Sequence, residues 1–299
     1  MIIDAHTHIW DETYASKEYL EEALSHRKRV GDVDPAATKH WMPLPREAWV
    51  AELKEAGIEK AIVLAFDLTR VFKTKIPDDF VADYVKEYPD FLVGYGSAEP
   101  LDDVGKFKKS VLDDVEKAVN EYGFKGLKLY PWYGNYSADD KALYPLYEKC
   151  LELKIPVLLH VSPENLPKAY LQYGTPLPLD NVATDFPGLK IGIAHFGSPW
   201  MTECCLLMQK HPNIYVDISE TFYRPTQLTW GLIMAKEYRV LNRILFGTDG
   251  PGLGRPVKKT VNWLKTDLNR LSRGSGWPTF DQDEINGILG ANAARILPL

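Results

Sequence analysis

The sequence predicts a (β/α)₈ barrel, and three observations predict it. Short apolar or β-branched runs alternate with longer amphipathic stretches along the whole chain, eight such runs can be marked, and 299 residues suit a barrel built as one domain around one core. The strand candidates, in order, are 2–8 (IIDAHTH), 60–66 (KAIVLAF), 91–97 (FLVGYGS), 126–131 (GLKLYP), 156–162 (PVLLHVS), 190–196 (KIGIAHF), 214–219 (IYVDIS) and 243–249 (RILFGTD). Helical periodicity fills the intervals around 46–56, 78–88, 104–122, 139–154, 200–210, 225–239 and 257–271, and a last helix is expected in FDQDEINGILGANAARIL. An open doubly wound sheet is the alternative. It is weakened because no G-x-G-x-x-G turn follows the first strand.

Two connections break the rhythm. Residues 11–45 and the proline-rich 162–180 each follow the C-terminal end of a strand, so both are expected over the face where barrels keep their active sites. The basic run His26-Arg27-Lys28-Arg29 inside the first reads as a solvated excursion. With 41 acidic against 35 basic residues the chain implies no nucleic-acid or anionic-membrane partner. A small-molecule substrate is the expected partner, with room left for a homo-oligomer. Three cysteines, two of them adjacent, make no disulfide framework or zinc-finger spacing, and no basic leader or bilayer-length apolar run is seen, so a cytoplasmic setting is expected.

The first strand carries His6 and His8, which lie two apart and therefore share a face. His160 falls near the end of the fifth strand, His195 near the end of the sixth, and Asp249 closes the eighth. A barrel gathers all its strand ends at one mouth, so these five become neighbours there. Three imidazoles and a carboxylate suit a divalent first-row metal such as Zn²⁺. Taken singly, each has a plainer reading: hydrogen-bonded core histidines, strand-end polar residues, or a turn-capping aspartate in GTDGPG. Asp4 is either a partner that orients a ligand imidazole or a strand-start carboxylate. His211 precedes the seventh strand, at the opposite face, and is assigned no chemistry.

DAHTHIW, GLKLYP, PVLLHVS, KIGIAHFG, ILFGTDGP and INGILGANAARIL, in this order, resemble the amidohydrolase superfamily. Within it they are similar to the branch that includes aminocarboxymuconate-semialdehyde decarboxylase and resorcylate decarboxylase. The resemblance implies that His6, His8, His160 and Asp249 hold a single metal, Zn²⁺ or Mn²⁺, while His195 is the acid/base. Lys128, in GLKLYP, has three readings: a contact to a substrate anion, a carboxylated bridge between two metals as in binuclear members, or a structural ion pair. The branch's decarboxylases carry other residues there, which favours hydrolysis.

Aromatics follow several strand ends: Trp10, Phe66, Tyr130, Trp132, Tyr133, Trp200, Phe222 and Tyr223. With a few polar groups they suit a pocket for a small cyclic or aromatic substrate. Arg70, Arg224 and Arg255 could pair with a substrate carboxylate. Lys128, Trp10, Tyr130, Trp132 and Arg224 are the substrate contacts expected. The functional expectation is a metal-dependent hydrolase of a small carboxylated, cyclic or aromatic lactone, ester or amide. The alternative is a nonoxidative decarboxylase of an aromatic or muconate-type acid. A non-catalytic binding barrel and a metal-free lactonase are further readings, disfavoured by the complete ligand set.

Overall fold

The computed structural model describes residues 1–11, 13–22, 44–163, 166–251 and 257–299. Eight strands pair in parallel and in chain order: Ile3–His8, Lys60–Leu64, Leu92–Ser97, Leu127–Leu129, Val157–Leu159, Ile191–Ile193, Ile214–Asp217 and Ile244–Leu245. Bonds from Ala5 N to the Phe246 carbonyl (2.9 Å) and from Asp249 N to the His6 carbonyl (2.8 Å) join the eighth segment to the first. The sheet thereby closes, as the strand count requires.

The period of two sorts the apolar side chains into two cores. Ala61, Val63, Leu127, Leu129, Val157, Leu159, Ile191 and Ile193 pack outward against the helices. Ile62, Leu64, Val93, Tyr95, Leu158, Tyr215 and Leu245 point inward and fill the barrel below its mouth. Each side chain so buried contributes roughly 1.5–3 kcal/mol. A Cβ at position 192 would lie 2.7 Å from the Tyr215 ring and 2.8 Å from Leu158, so glycine there leaves the tyrosine its place in the plug.

The first strand departs from simple alternation. Asp4 pairs with Ala61 but Thr7 with Val63, so three steps on one strand oppose two on the other. This bulge puts His6 on the inward face directly after the inward Ala5. The third strand ends at Ser97 as expected, and the other six are shorter than the sequence predicts at their C-terminal ends. Residues 160–162, 194–196, 218–219 and 246–249 leave the ladder, and His195 (φ 57°), Phe196 (φ 53°) and Asp249 (φ 62°) turn into the left-handed region. Such conformations cost about 1–3 kcal/mol each and persist where surrounding contacts impose them.

The expected helices form, with altered ends. The stretch at 104–122 becomes helical only from Ser110, since Leu101 bridges Phe107 just before it. The last two helices contain π-helical turns at Trp263–Asp267 and Gly287–Ala291. Unforeseen are a hairpin, Phe66–Leu68 with Thr74–Ile76, and short helices at Pro131–Gly134 and Leu179–Asp185. The two long insertions meet: Lys168 pairs with Glu18, and Tyr19 packs on Trp10, Phe66 and Phe72. The run His26–Arg29 lies outside the described residues, as does Arg255. Among the described residues no helix is long and apolar enough to cross a membrane.

Candidate metal centre

His6, His8, Lys128, His160, His195 and Asp249 are all buried, and they meet at the barrel mouth. His6 Nε2 stands 3.3 Å from His8 Nε2 and 3.2 Å from Asp249 Oδ1, and His8 Nε2 stands 3.5 Å from the same oxygen. Ligand atoms held tetrahedrally at about 2.0–2.2 Å from one ion would be about 3.3–3.6 Å apart. The observed edges, 3.2–3.5 Å, are close to that length. On the other side His195 Nε2 lies 3.1 Å from His160 Nδ1, and the His6 and His195 rings are 4.8 Å apart.

The protons explain why these edges face one another. His6 Nδ1 lies 2.9 Å from Asp217 Oδ2, an acceptor, so it carries the hydrogen and Nε2 presents a lone pair in the neutral ring. His160 Nε2 lies 2.8 Å from the Ser162 carbonyl, so its Nδ1 is the lone-pair edge. Lone pairs and a carboxylate oxygen converging in a buried space repel unless a cation sits among them. The donor set therefore fits a divalent ion. His6, His195 and Asp249 offer ligand atoms within 4.8 Å of one another, which puts His195 as near the centre as the expected ligands. It is within reach either to bind an ion or to pass a proton beside one.

Burial and neighbouring positive charge hold His8 and His160 well below the usual imidazole range, which keeps both rings neutral for ligation. His195 is lowered by burial and by His6. Burial acts the same way on His6, but the Asp217 carboxylate overcomes it and raises that ring. Lys128 is wholly buried, and burial lowers its ammonium to about 8 against the pull of Asp217 and Asp249. Its Nζ lies 3.5 Å from His6 Nε2 and 5.3 Å over the Tyr130 ring. Among the described residues it makes no salt bridge within 4.0 Å, although Asp217, Asp249 and Glu220 attract its charge.

Aromatic rings wall the centre on one side. Trp10 and Phe66 lie 5.9 and 5.8 Å from His8, while Tyr130, Trp132 and Tyr133 lie 5.9, 6.0 and 4.7 Å from His160. The other expected contacts are elsewhere. Arg224 lines an open groove with Trp230 and Trp277, Phe222 packs on Phe246 and Trp263, and Arg70 sits 3.5 Å from Glu99. Asp4 accepts from Thr248 N and Oγ1 (3.0 and 2.6 Å) and from the His6 backbone (3.2 Å); it ties the first strand to the segment after the eighth, and among the described residues it hydrogen-bonds no imidazole. His211 pairs with Asp180 at 2.6 Å, a structural contact. Two residues that sequence reasoning passed over are Asp217 and Ser219, at the end of the seventh strand. An inward carboxylate in an otherwise apolar strand was the available signal.

A family model described as amidohydrolase matches residues 3–299. The chain belongs to the amidohydrolase family. It is 26% identical over 217 residues to the 2-keto-4-carboxy-3-hexenedioate hydratase of a Sphingobium species, covering 63% of this chain and 61% of that protein. It is 24% identical over 135 residues to the 2-amino-3-carboxymuconate-6-semialdehyde decarboxylase of Dictyostelium discoideum, covering 40% of this chain and 36% of that protein. These matches span less than two thirds of either relative. Among solved structures, a TIM-barrel protein of Bordetella bronchiseptica superposes with a TM-score of 0.74 at 24% identity, over 99% of this chain and 97% of that one. A dihydroxybenzoic acid decarboxylase of a Polaromonas species, with bound manganese and 2-nitroresorcinol, gives 0.66 at 18% identity over 99% and 96%. The barrel fold is thus shared with both structures, the second of which holds manganese.

Proposed function

We propose that this amidohydrolase is a metal-dependent hydrolase acting on a small carboxylated, cyclic or aromatic lactone, ester or amide. The observation that carries the reading is the convergence of His6 Nε2, His8 Nε2 and Asp249 Oδ1 within 3.2–3.5 Å, with His195 beside them. His6, His8, His160 and Asp249 would hold one ion, zinc in preference to manganese because imidazole predominates in the set. Such an ion supplies a Lewis acid that polarises a carbonyl and brings the pKa of water to about 7.

The chain's own groups do the rest. His195, titrating near neutrality when unperturbed, takes the proton from attacking water and returns it to the leaving atom. Asp249 accepts a hydrogen bond from the same water through its second oxygen. Lys128, largely protonated at neutral pH, faces the substrate's carboxylate or the oxyanion that develops on attack. Trp10, Tyr130 and Trp132 enclose the ring and exclude solvent, within one barrel domain in the cytoplasm.

A second reading, nonoxidative decarboxylation, is favoured by the names of two similar proteins. That chemistry needs an adjacent ring or polyene as electron sink, and a cation at position 128 would hold the carboxylate against departure. A panel of lactones, small amides and aromatic or muconate-type acids decides between them. Hydrolysis predicts acid release from lactone or amide without carbon dioxide. Turnover confined to the acids, with stoichiometric carbon dioxide and insensitivity to Lys128→Met, would replace the hydrolase reading by the second.

A further inference from the structure

The seventh strand ends in a buried carboxylate that makes contact with both sides of the centre. Asp217 Oδ2 accepts from His6 Nδ1 at 2.9 Å. Its Oδ1 accepts from the Ser219 N–H at 3.0 Å, from the His195 backbone N–H at 3.2 Å, and from the Ser219 hydroxyl. Both oxygens are therefore engaged, and a carboxylate offers about four lone-pair sites in all. The Ser219 hydroxyl has one proton, and Asp217 receives it. Its oxygen can then only accept from His195 Nδ1, 2.8 Å away, and the Ser219 carbonyl, 3.2 Å from the same nitrogen, can only accept as well.

We infer that Asp217, acting through Ser219, is a positioning residue that sets the tautomers of His6 and His195 together, so that each ring turns a lone-pair Nε2 toward the centre. The inference rests on the acid/base role proposed for His195 but is read independently of it. One carboxylate orients a ring on the ligand side and a ring on the proton-transfer side. The same oxygen that receives the Ser219 proton accepts the His195 backbone N–H, and so helps hold that residue in its left-handed conformation.

An isosteric change isolates the effect. In Asp217→Asn one oxygen becomes an NH₂ donor. If the amide nitrogen faces Ser219, the hydroxyl must accept from it and donate to His195 Nδ1, which moves the ring proton to Nε2. If the amide nitrogen faces His6, that ring must accept at Nδ1 and carry its proton on Nε2, where the ion would bind. The change thus inverts one histidine or the other.

The test is long-range ¹H–¹⁵N correlation spectroscopy of ¹⁵N-histidine-labelled enzyme loaded with zinc alone, together with zinc affinity and, once a substrate is known, kcat and KM. In the wild type, His195 is expected protonated at Nδ1 in its neutral form. In Asp217→Asn the expected result is either a His195 ring protonated at Nε2 with zinc retained, or a zinc affinity lowered about 10–100-fold, the scale for losing an oriented partner of a ligand. In the first case kcat falls with KM nearly unchanged. Wild-type His195 protonated at Nε2, or an Asp217→Asn variant with both tautomers and zinc affinity unaltered, would overturn the inference. The wild-type spectrum decides even if the variant folds poorly, and neither reading depends on which reaction the enzyme performs.

Discussion

At the scale of single residues the proposed roles divide by where each proton sits. His195→Ala removes a proton carrier and leaves His6, His8, His160 and Asp249 to hold the ion. It is expected to keep one metal per chain and lower kcat by about 10²–10⁴-fold, the range for losing a general acid/base. His6→Ala should lose metal and activity together. Elemental analysis of the two purified variants checks this, and equal metal loss in both would make His195 a ligand. The pH dependence follows from the same residues. His8 and His160 are lowered and stay neutral into the acid range, whereas Asp217 raises His6, so His6 is where protons compete with metal first. Metal affinity is expected to fall about tenfold per pH unit below the His6 pKa, since binding there displaces one proton. Zinc titrations between pH 8 and pH 5, set as about three units around an imidazole's range, would show it; a flat profile contradicts it.

Elements position the site through close approaches that only glycine allows, and two of these separate stability from function. A Cβ at Gly94, on the third strand, would lie 2.3 Å from the Phe124 ring in the outer core. Gly94→Ala is expected to cost about 1–3 kcal/mol by overpacking, read as a lower urea midpoint, while the metal content of the folded protein is unchanged. A Cβ at Gly247 would lie 2.9 Å from His6 Cβ and 3.1 Å from Ser219 Cβ, between the proposed ligand and the serine beside His195. Gly247→Ala should therefore weaken zinc binding more than it lowers the unfolding midpoint. The reverse order in zinc titration and urea unfolding would show that the two strand ends yield independently of the site.

For the whole molecule, the proposed metal would be an addition to a barrel that holds itself together. The apolar plug below the mouth and the shell between strands and helices need no ion. Chelation is thus expected to leave the far-ultraviolet dichroism unchanged. It should lower the unfolding temperature by several degrees, because an ion at about 100 times its Kd contributes about 2.7 kcal/mol to the folded state. Loss of helical signal on chelation would instead mean that the metal is needed to close the sheet.

The sequence by itself determined the eight strands, their order and the five metal-type side chains at their ends. Both periods, 2 and 3.6, are local, and a parallel barrel carries every strand end to one mouth. It could not reveal the bulge that turns His6 inward, because register is a property of two strands 57 residues apart in pairing, Ile3 against Lys60. Nor could it show that Arg224 faces an open groove, that Lys128 makes no salt bridge among the described residues, or that Asp217 and Ser219 belong to the centre. His6 and Asp217 are separated by 211 residues, and no local pattern records a hydrogen bond across that distance. Which nitrogen of each imidazole carries the proton is settled by such partners, and only the closed barrel brings them within reach.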